Sequence, residues 1–124
     1  TVDEGFRAVL LVAGGADAAS TFDARRAALV RRAAVDDTWP LVEDQLLDNG
    51  TLAYMLSRIC DLPRGVNERL ARMTGWGRRR YALRTCVHEG LMTYGPAHAF
   101  VTGGALLAAV TAADEYLDRR RTAP

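Results

Sequence analysis

Asn67–Arg84 reads NERLARMTGWGRRRYALR, and the interpretation of this stretch sets the expectations for the rest of the chain. Leu70, Ala71 and Met73 form an apolar stripe on a helix that opens near Asn67, whose side-chain oxygen can accept an amide N–H at a helix start. Gly75 stands where a left-handed residue would end that helix, and Gly77 frees the chain to begin another. Trp76 between them is too large and apolar to be left in water, so it is expected to wedge the angle between the two helices. The next helix opens with Arg78, Arg79 and Arg80 and can be drawn to Tyr94. Guanidinium groups at a helix N-terminus oppose the dipole, which favours acidic residues there. An anionic partner would explain them, since phosphate oxygens and guanine edges suit the planar guanidinium fork.

With Ala71, Gly75, Trp76 and Tyr81 at these spacings, the segment resembles the helix-turn-helix of DNA-binding proteins. The resemblance covers roughly a quarter of the chain when the preceding helix, with Leu52, Met55, Leu56 and Ile59, is counted as the support. It implies that Gly77, Arg78, Arg79, Ala82 and Leu83 lie towards the groove, and the basic residues of this helix, Arg78, Arg79, Arg80 and Arg84, are the candidate nucleic-acid-binding residues. Arg84 departs from the pattern, because that family usually has an apolar residue there. All 16 basic residues are Arg and none is Lys, a bias that, with the many alanines, fits a GC-rich bacterial genome.

At 124 residues, 49% hydrophobic and 25% charged, the chain is long enough for one core and short for two domains. A formal net charge of +1 argues against indiscriminate coating of nucleic acid, which scales with the number of phosphates neutralised, and leaves room for a local basic patch. Two cysteines, Cys60 and Cys86, are too few for a disulfide scaffold, and no charged-then-apolar leader opens the sequence. A reduced, cytoplasmic setting is expected. The first residue is Thr1 rather than Met, which points to an N-terminus that was processed or trimmed.

The fold expected is all-α, a single domain over residues 1–118 with a frayed tail at 119–124, built from about six or seven helices with a helix-turn-helix-like corner. Val2, Phe6, Val9 and Leu10 share a helical face that Gly14 and Gly15 terminate. Ser20 and Asp23 suggest the start of a second helix running to about Ala34. A third is expected from Asp37 or Thr38 to Asn49-Gly50, with Pro40 in its first turn, and Thr51 would cap a fourth that Pro63 ends.

Gly90–Ala113 contains no Asp, Glu, Lys or Arg. Gly95-Pro96 interrupts it and most of its residues are Ala, Gly and Thr, so a membrane span is not expected. A central helix from about Pro96 to Arg119 is expected instead, surrounded by others, with a close crossing at Gly103-Gly104 or a homodimer formed there.

Among candidate catalytic groups, Cys86 and His88 lie on opposite sides of a helix and cannot act together. His88 is expected half-buried beside Tyr81 and Met92, and His98 could approach it across the Gly95-Pro96 bend. No metal cluster, phosphate loop or cofactor motif is present in the sequence, so no cofactor is expected. The leading function is therefore nucleic-acid binding, to duplex DNA, or a transcription-accessory role through helix 78–94. The alternatives are a small-molecule binder or cofactor-free enzyme with a pocket of His88, His98, Tyr81, Tyr94 and Trp76, and a helical protein-interaction module.

Overall fold

The computed structural model describes residues 1–13, 21–36, 38–60, 75–93 and 95–122. Among these are five helices and no strand: α1 (Val2–Val12), α2 (Phe22–Arg31), α3 (Asn49–Ile59), α4 (Gly75–His88) and α5 (Gly103–Thr122). A short polar side chain precedes four of them and accepts a first-turn amide: Thr1 from Glu4, Thr21 from Ala24, Asp48 from Thr51 at 2.7 Å, and Thr102 from Ala105 at 3.1 Å. The start of α1 is satisfied further by tertiary partners, since the amides of Val2 and Asp3 donate to the carbonyls of Gln45 and Glu43.

The centre of the molecule is α3. Leu52, Ala53, Met55 and Leu56 have no exposed surface, because their 3-4 spacing recurs on more than one side of the helix. Its most extensive partner is α4, which brings Ala82, Leu83 and Cys86 against it. The first turn of α3 lies close to other backbone: a Cβ on Gly50 would sit 3.2 Å from the Cβ atoms of both Arg79 and Ala97. A side chain there would push α4 and the 95–101 segment away.

The helix α1 packs on α2, α3 and α5 through Val2, Phe6, Val9 and Leu10. Phe6 stacks on Phe22 with ring centroids 5.2 Å apart, and Arg25 Nε donates to Asp3 Oδ1 at 3.1 Å, clasping α1 to α2. The last helix, α5, turns Ala109 and Ala113 to the core, and Arg120 near its end donates to the carbonyl of Cys60, the C-cap of α3, at 2.7 Å. No described helix is long and apolar enough to cross a membrane.

Several boundaries differ from the sequence reading. Residues 38–48 are not helical. Asp36 Oδ1 accepts from both the amide and the hydroxyl of Thr38, making a local turn that competes with helix, and the carbonyls of Glu43 and Gln45 serve the start of α1 instead of a helix of their own. Asp48, rather than Thr51, caps α3.

The helix α2 ends at Arg31, not near Ala34. Ala33 takes a left-handed conformation with φ 59°, its amide donates to Val30 and that of Ala34 to Leu29. The same pair of bonds closes α4 at His88, where Gly90 has φ 80° and Leu91 donates to Cys86, so the expected run to Tyr94 stops six residues short. At its other end α4 begins at Gly75, so Gly75 and Gly77 fall in its first turn rather than in a turn ahead of it. Glycine serves helix starts as well as stops, and local pattern does not separate the two. The expected helix from Asn67 to Thr74 and the Ser20 start of α2 lie outside the described residues.

The helix expected over 96–119 begins only at Gly103 and continues to Thr122, into the 119–124 segment expected as a tail. Residues 95–101 spend their backbone groups on the first turn of α3 and the residues just before it: Ala97 and Ala99 carbonyls accept from Gly50 and Asn49, and Val101 donates to Leu47 at 2.7 Å. Tertiary pairing overrides a helical pattern there. Gly103 and Gly104 therefore stand at the helix start, where a Cβ added to either would meet nothing within 4 Å, in place of the close crossing expected.

Candidate functional site

The arginine-headed start of α4 is set by its seat on α3. Because Gly50 lacks a side chain, the backbone of α4 at Arg79 comes close to α3, and the guanidinium of Arg79 reaches over the ring of Trp39, 4.2 Å from its centroid. Trp39 is only 4% exposed. Tyr54 meets it edge-on at 4.9 Å, and Arg26 Nη2 donates to its backbone carbonyl at 2.8 Å. Arg79 is thus half-buried in an aromatic seat, a weakly hydrated guanidinium stacking where an ammonium would lose more hydration.

The other expected arginines are placed differently. Arg84 is exposed, and so is His88 one turn further on. The side chains of Trp76, Arg78, Arg80 and Tyr81, and residue Tyr94, lie outside the described residues. His98 is also exposed, on a turn between α4 and α5 rather than on a helix. His88 is therefore not the half-buried residue the helical projection suggests, because α4 ends at His88 itself and the segment carrying Met92 is no longer helical.

Cys60 and Cys86 are buried free thiols beside the α3–α4 contact, and Cys86 Sγ donates to the Ala53 carbonyl at 3.4 Å. Burial, with a smaller contribution from nearby Cys60, pushes the Cys86 thiol up to about 12. Burial likewise raises Cys60 to about 11, against a smaller lowering by Arg120. Both are held as neutral thiols and neither is a nucleophile at neutral pH. Among the described residues no three His, Cys, Asp or Glu side chains converge to hold a metal ion.

A different surface forms where the 95–101 segment meets the start of α3. Asp48 and Phe100 form an antiparallel bridge, flanked by the Asn49–Ala99 and Val101–Leu47 hydrogen bonds. Side chains alternate across such a pairing, so Leu47 is buried while Leu46 and Phe100 share the outer side at 55% and 63% exposure. The chain then enters α5, where Gly104, Ala108, Thr111 and Glu115 follow spacings of four, three and four along the side opposite Ala109 and Ala113. Leu107 borders this stripe and is 67% exposed. Sequence reasoning missed Phe100 and Leu107 because it took an uncharged helix for a central one. The signal that could have separated the two is volume: this helix carries Ala, Gly and Thr on the side that α3 fills with large residues.

No protein-family model, curated protein or solved structure matches the chain.

Proposed function

We propose that the protein is a helical interaction module whose working surface is formed by Phe100 and the N-terminal half of α5. The observation that carries this reading is the exposure of Phe100, at 63%, and Leu107, at 67%, inside a stretch with no charged residue from Gly90 to Ala113. One exposed leucine needs no explanation, but two large apolar side chains exposed within one uncharged stretch of chain favour contact with another apolar surface. The seat of Arg79 on Trp39 supports the same reading, since it gives one of the α4 arginines a role within the fold.

The test is a photo-crosslinking residue placed at Leu107, with an equivalent at Arg31, an exposed position at the end of α2. Discrete protein adducts in cells at position 107 and not at 31 are expected. Labelling that does not differ between the two positions would count against a working surface at α5.

Exposed Arg84, one turn from exposed His88, favours a second reading in which α4 contacts the phosphates of duplex DNA. Under it, Arg84→Ala lowers affinity for all sequences alike and reduces the slope of log affinity against log salt by about one. A titration with no measurable DNA affinity at about 50 mM salt, where counterion release is most favourable, rejects it.

A further inference from the structure

The exposed stripe of α5 is complementary to itself, and we propose that its occupant is a second copy of this chain, packed antiparallel along α5 about a two-fold axis near Ala109 and Val110. This rests on reading the face as an interaction surface and adds the identity of the partner. Gly104, Ala108, Thr111 and Glu115 lie within one narrow strip of the helix, away from the core. About that axis, Gly104 of one copy faces Glu115 of the other and Ala108 faces Thr111, and the two-fold makes each pair occur twice.

Charge decides the direction. The first turn of α5 contains no acidic residue, and its amides carry the positive end of the helix dipole. Antiparallel pairing brings the exposed Glu115 of the second copy onto that end, in both halves of the dimer. Parallel pairing would instead set Glu115 against Glu115 and the two positive helix ends together. Size permits the approach: a Cβ at Gly103 or Gly104 would meet nothing within 4 Å in the monomer, and with Ala108 beside them two backbones can come close. Leu107, on the border of the strip, is then covered from the flank, which removes from water the most exposed large apolar side chain among the described residues.

The register is tested by exchanging the charges. The wild-type chain is expected to sediment as a dimer at about 50 µM, a concentration that reveals any interface of micromolar strength. Gly104→Glu sets an acid against Glu115 of the second copy, and Glu115→Lys sets a cation against the helix start. Each is expected to weaken dimerisation about tenfold, while the double variant returns to within about threefold of wild type, the signature of two positions in direct contact. Gly104→Glu is compatible with the fold, because the site is open and an acid in the first turn suits the dipole. Circular dichroism of each variant is expected to match the wild type.

A monomer at every concentration to about 100 µM overturns the proposal, as does a dimer that the single changes leave intact or the double change weakens additively. The crosslinking at Leu107 separates this from the broader reading. Adducts only to proteins of other mass reject the second copy and leave the surface standing, whereas no adduct at all removes both.

Discussion

Two helices of this chain, α3 and the first half of α5, are both poor in charge, and the molecule treats them in opposite ways. Within α3, Leu52, Met55 and Leu56 are fully enclosed, and α1 and α4 pack around them. In α5, Leu107 is 67% exposed, and among its described side chains Ala109 and Ala113 are the buried ones. By lack of charge alone, α5 has the better claim to the centre, since Gly90–Ala113 holds no ionisable acid, Lys or Arg while α3 includes Arg58. What separates them is apolar volume. Burying Leu or Met removes far more apolar surface from water than burying Ala or Gly, so the helix with large side chains takes the middle and the one with small side chains lies outside. A face left outside without charges is then available for contact with another molecule.

The sharpest way to break this comparison is to make the same chemical change in both helices. Leu56→Ala in α3 is expected to cost about 2–5 kcal/mol in denaturant unfolding, the range for opening a cavity around an enclosed leucine. A loss below about 1 kcal/mol would mean that α3 is not the centre of the core. Leu107→Ala in α5 is expected to change stability by no more than about 0.5 kcal/mol when unfolding is followed at a concentration low enough for the monomer. Its effect should appear in association instead. If the two substitutions cost the same, α3 and α5 do not differ as a buried and a working helix.

Much of the framework was legible in local sequence. Val2, Phe6, Val9 and Leu10 announce the buried face of α1, and Leu52, Met55 and Leu56 announce that of α3, because helical periodicity survives whatever the helix packs against. Helix ends were harder. Gly90 stops α4, but the apolar residues after it, Leu91 and Met92, continued the pattern that the structure abandons. At the end of α2 the same two hydrogen bonds form around Ala33, and alanine gives no hint of a left-handed residue, which costs it about 1–2 kcal/mol relative to the ordinary conformation. The irregular segments 38–48 and 95–101 were illegible for another reason: their backbone groups bond to α1 and to the start of α3, partners far away in sequence.

The candidate surfaces divide the same way. The arginines of α4 and the uncharged stretch before Asp114 are visible as residue types. That Arg79 stacks on Trp39, forty residues earlier, and that Phe100 is lifted outward by its pairing with Asp48 follows from contacts between distant segments.

Periodicity and composition by themselves determined that this is an all-α chain and which side of α1 and of α3 is apolar, because those properties arise within a few turns of one helix. Only the tertiary structure decided which helix would be central, which arginine would be held within the fold and which apolar face would be left open. These outcomes come from competition between segments for a limited interior, and no single segment contains the terms of that competition.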